Sequence, residues 1–361
     1  MTDTIRAGVV GFGLAGQIFH AAVINETAGL EVGAIVERSG NLAAARYPDA
    51  QVFTSIEEML ADPTIKLCVV ATPNHMHRSL SEQCLQAGRH VVVDKPLALT
   101  SDDALALARC AKENGVVLSA YHNRRWDGDY QTVESLFNNG RLGEPLLFES
   151  HFDRFRLEPK PGAWRETEAA GGGILFDLGP HLIDQALALF GSPSSVWADV
   201  RITRPHGVVD DAFDIQLTYE NSSNVELRAL RVWLRSTMAA ASPGARFTLH
   251  GTKGSFEKWG LDPQEAALKG GARFTDEGFG QESAQSWGVF TAPGGAPEPV
   301  PTLPGDYRKY YENVRDAILG VKPLVVGIGV AWSVACLTEL ARESSRTGCR
   351  VPVDLSTAET L

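Results

Sequence analysis

An α/β fold in two parts is predicted for this chain of 361 residues. Over the first 120 residues, short apolar runs alternate with helical stretches, which reads as strands and helices around a parallel sheet. After Tyr121 strand-like stretches follow one another with few helices between them. That pattern predicts an α+β domain built on a largely antiparallel open sheet. At about 150 residues per domain, the length also fits two domains.

In chain order, the apolar runs predict strands over 5–10, 30–36, 67–71, 90–94 and 116–120, with helices such as 79–87 and 101–114 between them. Arg6 interrupts the first run. Right-handed crossovers then place the helices on both faces of the sheet. In the second part, strands are expected over 146–155, 195–203, 212–219, 223–233 and 246–250. Residues 257–305 are rich in Gly and Pro with weak periodicity, so a loop near a site or interface is expected. From Tyr307 the pattern is helical, and Tyr307 and Tyr310 read as packing residues. The uncharged stretch 324–337 is too short for a bilayer and is followed by Glu339, Arg342 and Glu343, so it reads as a buried helix. The boundary falls between 121 and 122, giving domains 1–121 and 122–361.

Composition excludes several classes. With 44% hydrophobic and 21% charged residues the chain is neither disordered nor collagen-like. A net charge of -11 gives no counterion-release gain on nucleic acid, so no nucleic-acid partner is expected. The five cysteines, Cys68, Cys84, Cys110, Cys336 and Cys349, contain no CxxC pair and read as small buried hydrophobes in a reducing compartment. The opening Met1-Thr2-Asp3-Thr4-Ile5-Arg6 has no basic segment leading to an apolar core. A cytoplasmic location without membrane attachment is the expectation.

Gly11-Phe12-Gly13-Leu14-Ala15-Gly16 follows the first strand and opens a helical pattern. There Gly11 permits a tight turn, Gly13 lets backbone approach a pyrophosphate, and Gly16 allows close helix–strand packing. The phosphates would sit at the helix N-terminus, where unpaired N–H groups point outward. This context predicts a Rossmann dinucleotide site rather than a turn serving the fold alone. Glu37 ends the second strand, where a carboxylate accepts from ribose hydroxyls and repels the 2'-phosphate of NADP. Arg38 and Ser39 follow at once and suit that phosphate. The balance leans to NAD, and NADP stays open.

Two further loops leave the carboxyl ends of strands, where ligands bind in open α/β sheets. One reads Thr72-Pro73-Asn74-His75-Met76-His77, the other Asp94-Lys95-Pro96-Leu97. Lys95 precedes a proline, which restricts its backbone. In the second domain a glycine-rich run leads from Gly171 to Asp184. Pro180 suits a first helical position, placing His181 in the first turn, where the helix dipole keeps imidazole neutral and available as a base. Asp177 stands four residues before His181 and Asp184 three after, so on one helix they share a face. Capping, local ion pairing and a structural histidine are the competing readings. Beside a dinucleotide site, histidine and lysine suit alcohol oxidation: a base takes the hydroxyl proton and a cation steadies the oxygen. No zinc-type cluster appears, so no metal is called for.

Together these pieces resemble the glucose–fructose oxidoreductase, inositol dehydrogenase and rhizopine-catabolism (Gfo/Idh/MocA) family, over nearly the whole chain. The resemblance implies an N-terminal Rossmann domain and a C-terminal α/β domain whose open sheet often forms oligomer contacts. It implies Lys95, Asp177 and His181 as a catalytic trio: His181 the general acid/base, Lys95 orienting the substrate hydroxyl, Asp177 binding substrate or tuning the network. The family often has Glu where this chain has Asp94. Phe19-His20-Ala21, the segment Tyr121 to Asp127, Ser150 to Arg156 and Trp164-Arg165-Glu166 are similar to the bacterial scyllo-inositol dehydrogenase branch. That branch typically uses NADP, and Glu37 departs from the small residue it implies.

The resulting reading is an NAD(P)-dependent dehydrogenase of an inositol, with scyllo-inositol favoured, or of a sugar or related polyol. Residues 1–121 hold the cofactor through Gly11, Phe12, Gly13, Leu14, Ala15, Gly16, Glu37, Arg38, Ser39, Thr72, Pro73, Asn74, His77, Asp94 and Lys95, with Asn123 at the nicotinamide border. Residues 122–361 hold substrate through Arg124, Trp126, Asp153, Arg156, Trp164, Arg165, Asp177 and His181, with Lys95 reaching it from the first domain, and form the oligomer. The final helix packs back on the first domain, and a dimer or tetramer is expected. The alternatives are a cofactor-retaining glycosidase or epimerase, and a sugar or nucleotide sensor without turnover.

Overall fold

In the computed structural model, which describes residues 4–361, the first sheet has six strands. These are β1 (Ile5–Val10), β2 (Leu30–Val36), β3 (Gln51–Phe53), β4 (Ile65–Val70), β5 (His90–Val93) and β6 (Leu118–Ala120). The residues Met1, Thr2 and Asp3, which the reading of the N-terminus used, lie outside the described part. All pairings are parallel, in the order β3-β2-β1-β4-β5-β6, the Rossmann arrangement. β4 and β5 are near-continuous Val, Leu and Cys because both faces are buried. Helices fill the connections: a π-wound turn Gly16–Ala21 running into α1 (Ala22–Asn25), then α2 (Leu42–Arg46), α3 (Ile56–Leu60), α4 (His77–Gln86) and α5 (Ser101–Glu113). Thr100 starts α5 by accepting from the Asp103 N–H at 3.1 Å, with Asp102 and Asp103 in the favourable first turn.

β3 is an addition to the five expected strands. It is three residues long at the sheet edge and largely exposed, so it carries no apolar run to betray it. The predicted strand 116–120 shortens to β6 because Gly115 and the Val116 N–H close the end of α5.

The second sheet has nine strands: β7 (Pro145–His151), β8 (Ser195–Arg201), β9 (Ala212–Thr218), β10 (Arg231–Thr237), β11 (Phe247–Gly251), β12 (Gly254–Lys258), β13 (Gly288–Thr291), β14 (Glu298–Val300) and β15 (Val351–Pro352). Their order is β14-β13-β12-β11-β7-β10-β9-β8-β15, antiparallel except for the β7–β10 pair. The largely antiparallel sheet expected is present, and the β7–β10 pair makes it mixed. Its helices are α6 (Gly128–Asn138), α7 (Ile174–Phe190) and α8 (Gln264–Lys269). α7 packs on β9 and β10. Phe190 meets Phe148 at 5.3 Å and Tyr219 at 6.0 Å between ring centroids, which anchors the buried side of this unit.

Two expectations for this region are corrected. The strand placed over 223–233 is β10, which begins at Arg231; residues 225–227 form a short 3-10 turn, capped where Asn224 accepts from the Glu226 N–H at 3.1 Å. Residues 257–305 are not simply loop. They carry α8, β13 and β14, and their strands are short enough for Gly and Pro to hide the alternation. Pro299 sits in the edge strand β14, where a missing donor is tolerated.

α9 (Arg308–Ile318) and α10 (Ile328–Thr347) follow. Helix begins at Ile328, not 324, and Val325, half-exposed, is tied instead by its N–H to Asn313 Oδ1 at 2.8 Å. Tyr307 and Tyr310 are buried packing residues, as expected. Of the cysteines, Cys68, Cys84 and Cys110 are buried, but Cys336 is half-buried and Cys349, in the turn after α10, is exposed. The described residues form two compact units: residues 4–123 with Tyr307–Ala335 and Thr360–Leu361, and Arg124–Asp306 with Cys336–Glu359. Among the described residues no helix is long and apolar enough to cross a membrane.

Candidate active site

The glycine loop follows β1 at the point where the strand order reverses, since β1 lies between β2 and β4. Gly11 has φ +95°, and a Cβ there would stand 2.8 Å from the Ala71 carbonyl oxygen. A Cβ on Gly16 would lie 2.0 Å from the Gly11 oxygen, so the turn closes only without side chains. Gly13 faces open space, with nothing within 4 Å of a Cβ placed there. Phe12 is buried, Ala15 half-buried and Leu14 exposed. Beside this loop, the buried Thr72 Oγ1 has no hydrogen-bond partner. A narrow glycine turn, an open position at Gly13 and an unused hydroxyl suit the phosphates of a dinucleotide.

Glu37 does not simply stand at a strand end. Its Oε2 accepts from the Ala43 N–H at 3.0 Å, holding the start of α2, while Arg38 and Ser39 are exposed. Pro73 and the buried Asn74 open a 3-10 turn into α4. His77 is buried, with Nδ1 2.7 Å from the Pro96 oxygen and Nε2 2.9 Å from the Thr72 oxygen. It therefore joins the two loops that leave β4 and β5. Burial is the largest influence on its ring and holds its pKa below the ordinary value, against the pull of the two carbonyls and Asp94. As a neutral ring it donates to one carbonyl at a time.

Asp94 Oδ1 accepts from the Lys95 backbone N–H at 2.8 Å. The Lys95–Pro96 peptide is cis. Beneath lies His20, fully buried, its Nδ1 2.7 Å from the Tyr311 hydroxyl and its Nε2 3.9 Å from Asp94 Oδ1. Burial pushes the His20 pKa down to about 4, Asp94 opposing and His77 adding. The unfolded chain, at an ordinary 6.5, binds this proton sooner as acid is added. The His20 contribution to stability is therefore complete above 6.5 and is lost as pH falls towards 4. Relative to a His20→Gln variant, the parent should lose roughly 2 kcal/mol between about pH 7.5 and about pH 5. Urea unfolding of both proteins at the two pH values checks this, and a pH-independent difference contradicts it.

In the second unit α7 carries Asp177, His181 and Asp184 on one continuous helix. Pro180 lies inside this helix rather than at its start, so His181 is two turns in and not in the first turn; the dipole argument for it is corrected. Asp177 takes the first-turn place instead. The reason is that Asp210 supplies the cap: its carbonyl oxygen accepts from the Ile174 N–H at 2.9 Å and its Oδ2 from the Leu175 N–H at 2.6 Å. Burial raises the Asp210 pKa, the Leu175 bond working against it. The spacing of Asp177 and His181 still puts them one turn apart on one face. Two turns on, the Arg125 fork ties the same helix down, meeting Asp184 at 2.8 and 2.7 Å.

The expected substrate wall divides. Arg165 stacks on Trp164, 4.4 Å from the ring centroid, and its Nε is 3.4 Å from Asp177 Oδ1. Trp164, Arg165 and Asp177 thus form one group. Arg124 is buried over Phe152 and paired with Asp127 at 3.1 Å and with Glu265. The Trp126 oxygen accepts from Gln264 Nε2 at 3.0 Å, which fixes the same segment. Nearby Asp262 is pushed up to about 8 by burial, then by Asp127 and Asp129. Asp153 accepts from the Thr237 N–H at 3.1 Å and lies 3.6 Å from His151 Nδ1. Arg156 is exposed and bonds Met238 O through its backbone. Asn123 is buried at the end of the first unit's main segment.

Residues 5–122 match the oxidoreductase family with an NAD-binding Rossmann fold, and residues 130–257 match the GFO/IDH/MocA C-terminal domain. The chain belongs to the Gfo/Idh/MocA oxidoreductase family. It is 42% identical to the uncharacterized oxidoreductase YdgJ of Escherichia coli K12, over 96% of this chain and 98% of that one. It is 35% identical to the scyllo-inositol 2-dehydrogenase (NADP(+)) IolW of Bacillus subtilis, over 95% and 94%. The solved structure of yvaA from Bacillus subtilis superposes with a TM-score of 0.92 at 33% identity, covering 98% of this chain and 99% of that one.

Two residues that hold these elements in place are not marked as such in the sequence of this Gfo/Idh/MocA chain. Asp210 caps α7 from 33 positions beyond Asp177. Tyr311 meets His20 across 291 positions. Neither is adjacent in sequence to what it holds, and only the Phe19-His20-Ala21 segment carried any local signal.

Proposed function

We propose that the protein is an NAD(P)-dependent dehydrogenase of a cyclic polyol or sugar, with scyllo-inositol the favoured substrate. The observation that carries this reading is Asp177 and His181 one turn apart on a helix that the Arg125–Asp184 fork ties down. The likeness to IolW, named for scyllo-inositol, supports the substrate class.

The dinucleotide is proposed to lie along Gly11 to Gly16, with Thr72, Pro73, Asn74, Asp94, Lys95 and Asn123 lining its course. When bound, it supplies the two-electron acceptor. His181 accepts the proton of the reacting hydroxyl at a ring nitrogen. The Lys95 ammonium orients that oxygen and steadies the charge growing on it. Asp177, bridged to Arg165, binds a neighbouring hydroxyl, and the Trp164 face suits ring C–H groups. His77 holds the two loops together and so positions Lys95. Arg124, Trp126, Asp153 and Arg156 are assigned to the outer substrate wall.

A nicotinamide absorbance assay crossing NAD and NADP with scyllo-inositol, myo-inositol and a panel of aldoses tests this. Reduction confined to inositols is the expected result. Tight cofactor retention without net reduction would replace it with redox-assisted glycoside cleavage or epimerisation, and binding without any turnover with a sensor.

Glu37 is proposed to weigh preference towards NAD. Replacing it with serine removes the repulsive carboxylate and should move the NADP-to-NAD ratio of kcat/KM upward by about tenfold, equivalent to about 1.4 kcal/mol. The same change deletes the bond to Ala43, so a loss of about 1 kcal/mol in stability should accompany it. An unchanged ratio removes Glu37 as the discriminator.

A further inference from the structure

The Phe19-His20-Ala21 segment has no role in the chemistry so far described, yet its histidine is among the most enclosed polar groups of the first unit. Gly16–Ala21 is wound as a π-helix directly after the glycine loop. Such winding is rare and often marks functional positions, because it redirects one side chain out of the ordinary helical register. Here the redirected ring lies wholly inside the protein. Tyr121 covers it at 4.4 Å between centroids, and the Tyr121 hydroxyl donates to the Phe19 oxygen at 2.7 Å, which holds the backbone beside it.

Two polar groups meet the ring. The Tyr311 hydroxyl is 2.7 Å from Nδ1. Asp94 Oδ1 is 3.9 Å from Nε2, which has no hydrogen-bond partner although it is buried. The same Asp94 oxygen accepts the Lys95 backbone N–H. Burial keeps the imidazole neutral, so it carries one N–H only. Burial also raises the Tyr311 pKa, which leaves its hydroxyl a donor. If the ring proton were on Nδ1, a lone pair on Nε2 would face a carboxylate and the Tyr311 proton would be displaced. With the proton on Nε2, both ends are complementary: Tyr311 O–H donates to Nδ1, and Nε2–H points at Asp94.

We infer that His20 is a positioning residue of the reaction, whose Nε2–H holds the Asp94 carboxylate and through it the Lys95 backbone, with Tyr311 setting the tautomer. The remaining gap closes with a shift of about 1 Å. Contacts of this kind are often long before substrate is held and tighten when it is. The kinetic part of the inference rests on the assignment of Lys95 to the reaction; the tautomer does not.

The test has two arms on the full-length protein. Long-range nitrogen–proton NMR of the labelled, ligand-free protein reads the tautomer directly. Nε2–H in the parent, and a mixture in Tyr311→Phe, is expected; Nδ1–H in the parent overturns the inference. The second arm compares two variants that keep one side of the ring each. His20→Gln places an amide nitrogen near the position of Nε2, facing Asp94. His20→Asn places one near Nδ1, facing Tyr311. If His20 merely fills space and satisfies Tyr311, the asparagine variant is the milder. The inference expects the reverse: His20→Gln within about threefold of the parent kcat, and His20→Asn about tenfold or more below it, with KM for the polyol changed less than kcat. Equal kcat in the two variants, or a milder asparagine, overturns it. Should no polyol be turned over, the dehydrogenase reading fails while the tautomer measurement still decides whether His20 faces Asp94 as a donor.

Discussion

Replacing His181 with alanine should lower kcat by about 10²- to 10⁴-fold, the usual contribution of a placed acid/base group. The side chain is buried on the face of α7 that also carries Asp177, so its loss removes the proposed proton acceptor without touching the Asp210 cap or the Arg125 fork. The fold should persist, with circular dichroism and cofactor affinity close to the parent. Lys95→Ala should fall by a comparable factor for a different reason: the oxygen loses the cation that steadies it, a loss on the order of 10² to 10³ in kcat. Steady-state kinetics of both variants with the polyol found active, set beside their Tm values, checks the pair. Turnover near the parent in either variant removes that residue from the mechanism.

The largest stability effect is expected at Asp184. This carboxylate is buried and receives both arms of the Arg125 fork, itself only 13% exposed at the side chain. Asp184→Ala leaves a guanidinium enclosed without its counter-charge, at a cost of about 3–5 kcal/mol. For a unit of this size that corresponds to a fall in Tm on the order of 10 °C. The pair should be strongly non-additive. Replacing Arg125 with Met and Asp184 with Leu together should restore much of the lost stability, because no charge is then buried alone. The double variant should still turn over poorly if the fork sets the rotation of His181. A double-mutant cycle read by thermal unfolding, with kcat measured on the same four proteins, separates the two roles. A single variant with the parent Tm would show that the fork contributes little.

Legibility in the sequence followed burial. β1 and β2 end where their apolar runs end, because from Ala7 and Val32 onward every residue is buried; Arg6 and Glu31 stand before that, at the less enclosed starts. β3, β13 and β14 are short and lie at or near sheet edges, where few side chains are enclosed and no alternation is required. The glycine loop was visible because its geometry excludes a Cβ at Gly11 and Gly16, so residue type and conformation are locked together. The start of α7 was misplaced for the opposite reason. Its cap comes from Asp210, a residue distant in sequence, and Pro180 is accommodated inside the helix instead of opening it. His20 and Glu37 show the limit most clearly. Both residue types could be read, but their partners, Tyr311 with Asp94 and the Ala43 N–H, are set by tertiary structure.

The two margins of the nine-stranded sheet share a property. β14 contains Pro299 and β15 ends at Pro352, so each rim offers a backbone position with no donor. Both rim strands are also very short. An approaching strand would find neither the length nor the hydrogen-bonding ladder it needs, which protects the protein from open-ended stacking. The sheet is thereby closed to growth along its hydrogen-bonding direction, and its width is fixed by its own chain.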